Sequence, residues 1–548
     1  MKKTTVFKVN RIGFEDSVYN YILLAAGLVF LYIAFPAFTR VIYEHCLIIP
    51  TMLFLGAMKE RRVDYTHKKH WILSGAMVAW FLFLQAKREI HNEGISNIGL
   101  FLSIYLFAFP LASILRDGDK KKALKIFAGA YLAAAVILSV EGLLLVLDWL
   151  PACFSEYVYW DGARARIFWH PNIVACLLMV GVVFGTTFCA QAKTDRSKIC
   201  YVLLVVLMVA VLAFTSCRTA IIMTGAFLAA QVFFTIIKRG KSWIIPGLLA
   251  AAILTVVFYL GSMQIYQANE NAMIKKYTEQ YAEQLTEEPS DPAGVDEEYF
   301  FEETTEPEDI LPADDTAASS EEEEAVTETE AMQEGFEEES AEEEYYEEEY
   351  HEEEYYEEAL DEDQGETIPI ATDPYTGEVY LITESAQDSI EADFGTLNSR
   401  TYIWSAARFA IRETPSILYW GMYDPGEYVS YYNFFPISHL HNAWMQCLVG
   451  MGVVGFTIAV LFTLMTIWNC VLVLLKHYRD SWKRNVALLS ACLLAAAMLE
   501  PYLFYTTRDY HLIDFLFFLC AGYLAYWQEA DNRYIFNWIC SKISFSKK

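Results

Sequence analysis

The sequence predicts an all-helical polytopic membrane protein of about twelve transmembrane helices, since a bilayer core takes roughly 20 apolar residues per span. One long extracytoplasmic loop with a disordered acidic insertion interrupts it. Three observations predict this class. Apolar residues fill 55% of the 548 positions. They gather in runs near residues 19–37, 41–58, 71–86, 97–115, 123–150, 168–190, 199–215, 217–236, 243–262, 447–475, 485–504 and 510–528. Between the runs, positive charge alternates from side to side. Of 40 Lys and Arg, 28 fall in the N-terminus, the loops near 59–69, 116–125, 192–198, 237–242 and 476–484, and the C-terminus.

Positively charged loops stay in the cytoplasm, so both termini are expected there. Lys2 and Lys3 precede a polar stretch rather than a short apolar one, so no cleavable signal peptide is expected. Six arginines on the opposite side are not called for by topology: Arg164, Arg166, Arg218, Arg400, Arg408 and Arg412.

Residues 1–263 are expected to form an N-terminal bundle of about nine spans on the same length criterion. Residues 264–437 form the extracytoplasmic loop, and 438–548 return as a C-terminal block of three spans. The formal charge of −30 is local to the loop: residues 287–363 hold 37 Asp and Glu with no Lys or Arg, and the rest of the chain holds 33 acids against 40 bases. Self-repelling sequence of this kind buries too little apolar surface to offset its ordering entropy, so it is expected to be disordered. Its Asp361-Glu362-Asp363 triplet carries no metal-site information inside such a run. Residues 268–285 read as a short amphipathic helix, and Asp373-Pro374-Tyr375-Thr376-Gly377 as a turn between β-prone stretches.

Order is expected again at Asn398-Ser399-Arg400. Ser399 can cap a helix running to about Glu413 and ended by Pro415. On it Arg400, Trp404, Arg408 and Arg412 recur every four residues and share a face. Arginines lined up along one face suit an anion opposite. The eleven cysteines are scattered, mostly through apolar runs, and read as packing residues rather than a disulfide or metal framework. Glu141, within a span, reads as a structural hydrogen-bond partner.

Four clusters fall on the outer side. They are Arg164-Ala165-Arg166 leading to His170-Pro171-Asn172; Ser216-Cys217-Arg218-Thr219 in a tight turn; the Arg400 helix; and Ser438-His439-Leu440-His441-Asn442 at the mouth of a span. Polar residues at such a boundary are costly unless they line a pocket. His has a free pKa close to neutrality, which suits proton transfer. His439 has two readings, a hydrogen-bonded structural residue and a substrate-binding one. His439 and His441 as a metal pair lack a third ligand at suitable spacing. Arg164, Arg408 and Arg412 divide between headgroup contact and plain solvation.

After His441-Asn442 come nine residues, Gly452, two residues and Gly455. With the Arg–Pro-Asn, Ser-x-Arg and Arg-x-x-x-Trp segments in this order, the chain outside the acidic insertion resembles the bacterial O-antigen ligase and polymerase superfamily. The resemblance implies a multi-pass glycosyltransferase of the bacterial cytoplasmic membrane. It would move or polymerise an oligosaccharide from a polyprenyl-diphosphate carrier onto an acceptor hydroxyl at the outer face.

The implied reaction is inverting and metal-independent, with no cofactor. The implied partners are the lipid-linked donor, a glycan or glycolipid acceptor and membrane lipid, with no nucleic acid. It further implies His441 as the base, with Arg166, Arg218, Arg400, His439 and Asn442 binding substrate and Glu500, Asn172 and Ser216 in support. The chemistry is coherent: arginine forks pair with phosphate and stay charged in a low dielectric, and charge grows on the departing diphosphate. Because the diphosphate leaves readily, the remaining need is a base for the acceptor hydroxyl. The rival reading is a transporter of lipid-linked oligosaccharide, which would want cations at several depths of the bundle rather than on one side.

Overall fold

The computed structural model describes residues 9–36, 68–87, 101–115, 117–161, 164–287, 367–372, 379–383, 397–422, 425–430, 439–504 and 510–545. The expected span at 41–58, the acidic stretch beyond Glu287, the triplet at 361–363 and the turn at 373–377 lie outside these residues.

Helices dominate. In chain order they are α1 (Val9–Ala34), α2 (Lys68–Lys87), α3 (Leu111–Ile114), α4 (Asp117–Val146), α5 (Pro171–Gln191), α6 (Asp195–Phe214), α7 (Arg218–Ile237) and α8 (Ile244–Glu287). After the acidic segment come α9 (Leu397–Glu413), α10 (Ile417–Trp420), α11 (Pro425–Ser430), α12 (Ala443–His477), α13 (Ser481–Ala496) and α14 (His511–Phe545). Among the described residues six helical stretches are long and apolar enough to cross a membrane: Lys120–Val146, Pro171–Gln191, Asp195–Phe214, Arg218–Ile237, Ile244–Lys276 and Ala443–His477. Two shorter apolar helices, Asn20–Ala34 and Ile72–Ala86, accompany them. The chain is thus a helical membrane protein, and six is the number of spans its described helices support. The expected run at 97–115 is broken by a π-helical turn at Ile104–Ala108.

Two antiparallel hairpins depart from the all-helical expectation. β1 (Val158–Asp161) pairs with β2 (Arg164–Ile167), and β3 (Thr367–Thr372) pairs with β4 (Val379–Thr383). The first forms because Val158, Ala165 and Ile167 alternate into the core and are buried, a period-2 pattern that a helix cannot use. The second brackets the turn-prone residues 373–377. It belongs to a compact unit of its own, Tyr281–Ser389, while Met1–Gln280 and Ile390–Lys548 together form the other. The amphipathic helix expected at 268–285 is the continuation of α8 rather than a separate element.

Arg164 reaches the Thr215 carbonyl after α6, Asn172 meets Glu500, and the Ala443 N–H bonds the Ala497 carbonyl after α13, which brings the C-terminal end of α6 to the same side as the N-terminal ends of α5, α7 and α12. α5 is the centre of the bundle. It starts with Pro171 in the first turn, where a missing N–H costs nothing, and most of its residues are buried against α4, α6, α7 and α13. At the other end Arg484 ties three helices. Its Nη2 donates to Gln231 Oε1 (2.7 Å), its Nη1 to the Tyr478 carbonyl (3.1 Å) and its Nε to Asn485 Oδ1 (3.2 Å), and Asn485 donates to Thr187 Oγ1 (2.8 Å). The C-terminal block therefore packs into the N-terminal bundle. Glu141 differs from expectation, since its Oε2 is buried with no hydrogen-bond partner.

α12 is kinked at Gly452, whose φ is 65°. The kink lets the short α10 pass backbone to backbone. A Cβ on Gly452 would lie 2.5 Å from the Tyr419 carbonyl oxygen, and one on Gly421 (φ 64°) 2.3 Å from that of Gly450. The polar groups freed at the kink find new partners: Met422 N–H donates to the Val449 carbonyl (2.6 Å) and Trp80 Nε1 to that of Met451 (2.8 Å). Buried backbone groups require such replacement.

Candidate functional site

The four sequence clusters meet at the end of the bundle where α5, α7 and α12 begin. Glu500, in the segment after α13, is fully buried. Its Oε1 accepts from Arg400 Nη2 at 3.4 Å, and its Oε2 from Asn172 Nδ2 at 3.4 Å. Asn172 Oδ1 accepts in turn from Arg164 Nη2 at 2.6 Å, while Arg164 Nε donates to the Thr215 carbonyl at 3.1 Å. One chain of hydrogen bonds, Arg164–Asn172–Glu500–Arg400, thus joins β2, α5, the α13–α14 segment and α9. Two guanidiniums face one carboxylate, so the cluster is electropositive.

Each member is set by local structure. His170 caps α5 by accepting from the Asn172 backbone N–H at 3.3 Å, which fixes where Asn172 points. α9 buries Ile403, Ala406, Ala407 and Ala410, and Trp404 Nε1 donates to the Leu440 carbonyl at 3.0 Å. That bond clamps the Arg400 helix onto the histidine segment. Arg408 and Arg412 are exposed. At 1.5 Å per residue the stripe carries Arg412 roughly 18 Å along the helix from Arg400.

His439 and His441 stand edge to face, ring centroids 4.1 Å apart at 81°. The Nδ1 atom of each is buried with no hydrogen-bond partner. Burial drives the His439 pKa down to about 4, helped by His170 and Arg400. Burial drives His441 lower still, to about 2, with His439, Arg400, His170 and Arg164 adding to it. Both rings are therefore neutral at neutral pH, each with an unpartnered ring nitrogen. Glu500 moves the other way: burial pushes its carboxyl up to about 7, against the pull of Arg400, Arg164 and Asn172. Cys217 is pushed up to about 12 by burial and by Glu500, which leaves an inert thiol beside the carboxylate.

Backbone strain gathers here as well. Phe168 (φ 58°), Ser216 (φ 54°) and His441 (φ 47°) are left-handed non-glycine residues, one in each of three segments that form the site. Such conformations persist only where the surroundings enforce them, and they cluster at functional sites.

Of the residues singled out in the sequence, Arg400, Asn172, Glu500, His439 and His441 come together. Asn442 adjoins them, but its amide is engaged: Oδ1 accepts from Trp444 and Met445 N–H at 2.9 and 3.0 Å, and Nδ2 donates to the Met498 carbonyl at 2.9 Å. It caps α12 and so fixes the residue before it. Ser216 lies in the turn that supplies the carbonyl for Arg164. Arg166 and Arg218 are outside the hydrogen-bonded chain. Arg166 sits over the Tyr159 ring, 5.4 Å from its centroid, and Arg218 is exposed in the first turn of α7. Arg164, expected to contact headgroups or to be solvated, instead bonds Asn172 and the Thr215 carbonyl, and His170 has no role in the sequence reading. The Arg-x-Arg alternation was the available signal, since on a strand it puts both side chains on one face. Comparison of the chain with family models, with curated proteins and with solved structures finds no match.

Proposed function

We propose that this protein is a membrane glycosyltransferase that transfers or polymerises an oligosaccharide from a polyprenyl-diphosphate carrier onto an acceptor hydroxyl. The observation that carries the reading is the paired arginine cluster, Arg164 and Arg400 joined through Asn172 and Glu500, beside a neutral His441 with an unpartnered nitrogen. A diphosphate matches two guanidiniums in charge and geometry. In the proposed step the acceptor oxygen forms a bond to the anomeric carbon as its proton passes to His441. The bond from that carbon to phosphate breaks, and the electron pair leaves with the diphosphate, held by Arg164 and Arg400. Attack opposite to departure inverts the anomeric carbon.

Glu500 is assigned as a positioning residue, holding Arg400 and Asn172 from behind. Asn442 fixes the start of α12 and with it the backbone of His441. Burial is the main cause of the low His441 basicity, and the bound dianion would raise it by offsetting the smaller contributions of Arg400 and Arg164.

Against the transporter reading stands Arg484. This buried cation at the opposite end of the bundle spends its nitrogens on Tyr478, Gln231 and Asn485, a packing role. The test is the purified protein in lipid nanodiscs with a lipid-linked glycan and an acceptor glycolipid. Transfer with release of polyprenyl diphosphate supports the reading. Movement of intact lipid-linked glycan across vesicles without cleavage favours the transporter.

A further inference from the structure

We propose that Tyr159 is the platform on which the first sugar of the donor stacks, so that the β1–β2 ribbon reads the glycan next to the diphosphate clamp. The proposal rests on the function proposed above and adds a specificity residue to it.

The ribbon register pairs Tyr159 with Arg166 and Asp161 with Arg164. Side chains on paired strands alternate in direction, so Tyr159, Arg164 and Arg166 share one face, and Val158, Ala165 and Ile167 share the other. The second face is buried, and Trp160 on that side packs edge-on against Phe214 of α6 at 6.2 Å and 76°. The ribbon is therefore fixed to the bundle. Arg164 shows where the first face points, because it reaches Asn172 and the Thr215 carbonyl. Arg166 follows two residues later, about 7 Å along the strand. Its guanidinium lies over the Tyr159 ring and takes no part in the Glu500 chain. Tyr159 is half-buried, which leaves part of the ring open.

A half-open aromatic ring beside a phosphate-binding arginine fits a glycosyl diphosphate. The flat C–H face of a pyranose is weakly positive and matches the negative face of a ring. Arg166 above the ring holds it in place and offers N–H donors to sugar hydroxyls. As a mere surface pair, Arg166 and Tyr159 would steady the ribbon slightly and would not discriminate between ligands. That difference makes the idea testable.

The experiment measures binding of two probes to the full-length protein in nanodiscs: a polyprenyl diphosphate bearing one N-acetylhexosamine, and the same polyprenyl diphosphate without sugar. Tyr159→Leu is expected to weaken the sugar-bearing probe about tenfold while sparing the bare one, and Tyr159→Phe to retain the preference. Unchanged binding of the bare probe also certifies that the Leu variant is folded. Equal weakening of both probes would mean that Tyr159 only supports the clamp, and no weakening would mean that it touches neither; each overturns the proposal. If the wild type binds neither probe, the glycosyltransferase reading itself fails and takes this inference with it.

Discussion

The guanidinium of Arg400 lies 3.4 Å from the carboxylate of Glu500, across 100 residues of sequence. The carboxylate side chain is 1% exposed and the arginine side chain 20%. The acid is sealed behind the arginine, whose side chain keeps part of its surface open. A buried carboxylate between two arginines is a means of holding cations close together before an anion arrives, which spares the site that reorganisation during the reaction.

Arg400→Lys and Arg164→Lys are each expected to lower transfer by about 10- to 1000-fold, because a point charge cannot reproduce a planar fork that serves two partners. Arg218→Lys should lower it less, since Arg218 is exposed and outside the hydrogen-bonded chain. Steady-state transfer rates of the three variants check this order. An equal loss in all three would mean that the arginines act as a diffuse field rather than as a clamp.

Donor binding should depend on pH through Glu500. Its carboxyl titrates at about 7, and an anion placed beside it raises that value further, so binding takes up a proton. The affinity for a glycosyl diphosphate, whose own charge is constant in this range, should therefore rise as pH falls from about 8 to 6. Glu500→Gln should flatten the dependence. Calorimetry in two buffers of different ionisation enthalpy measures the proton uptake directly.

The histidine pair predicts the opposite sign for stability. His439 and His441 are depressed below the usual value, so their contribution is complete above pH about 6.5. It is lost as pH falls toward the folded-state values, about 4 for His439 and about 2 for His441. Melting temperatures across this window should drop less steeply in a His439→Gln/His441→Gln double variant than in the wild type.

Gly452→Ala and Gly421→Ala should each destabilise by about 1–3 kcal/mol, from the positive φ and the lost close approach. As the two glycines flank a single contact between α10 and α12, the double variant should cost less than the sum. Thermal melting of the three proteins gives the coupling.

Much of the candidate site is legible in the sequence. The boundary histidines, Arg400 and Glu500 stand out in sequence because charged or titratable groups at span ends need a reason to be there. What the sequence concealed was reach. The sequence favours Arg166 over Arg164 for substrate, whereas it is Arg164 that lies beside Asn172, whose orientation depends on the His170 cap. The ribbon itself was missed because four-residue strands give little periodicity between long apolar runs. In the sequence the glycines after His441 are part of a signature, and the structure gives Gly452 a mechanical task in admitting α10. Among the spans, lengths near the limit separate the six helices that qualify by composition from the shorter ones.

The most direct test of the central claim is a paired measurement on His441→Ala: donor binding, and transfer of glycan from a polyprenyl-diphosphate carrier to an acceptor, with both proteins in nanodiscs. The account predicts that the variant binds donor within a few-fold of wild type and has lost transfer by about 100-fold or more, the range expected for removing a general base. A variant that still transfers glycan within a few-fold of wild type would contradict it.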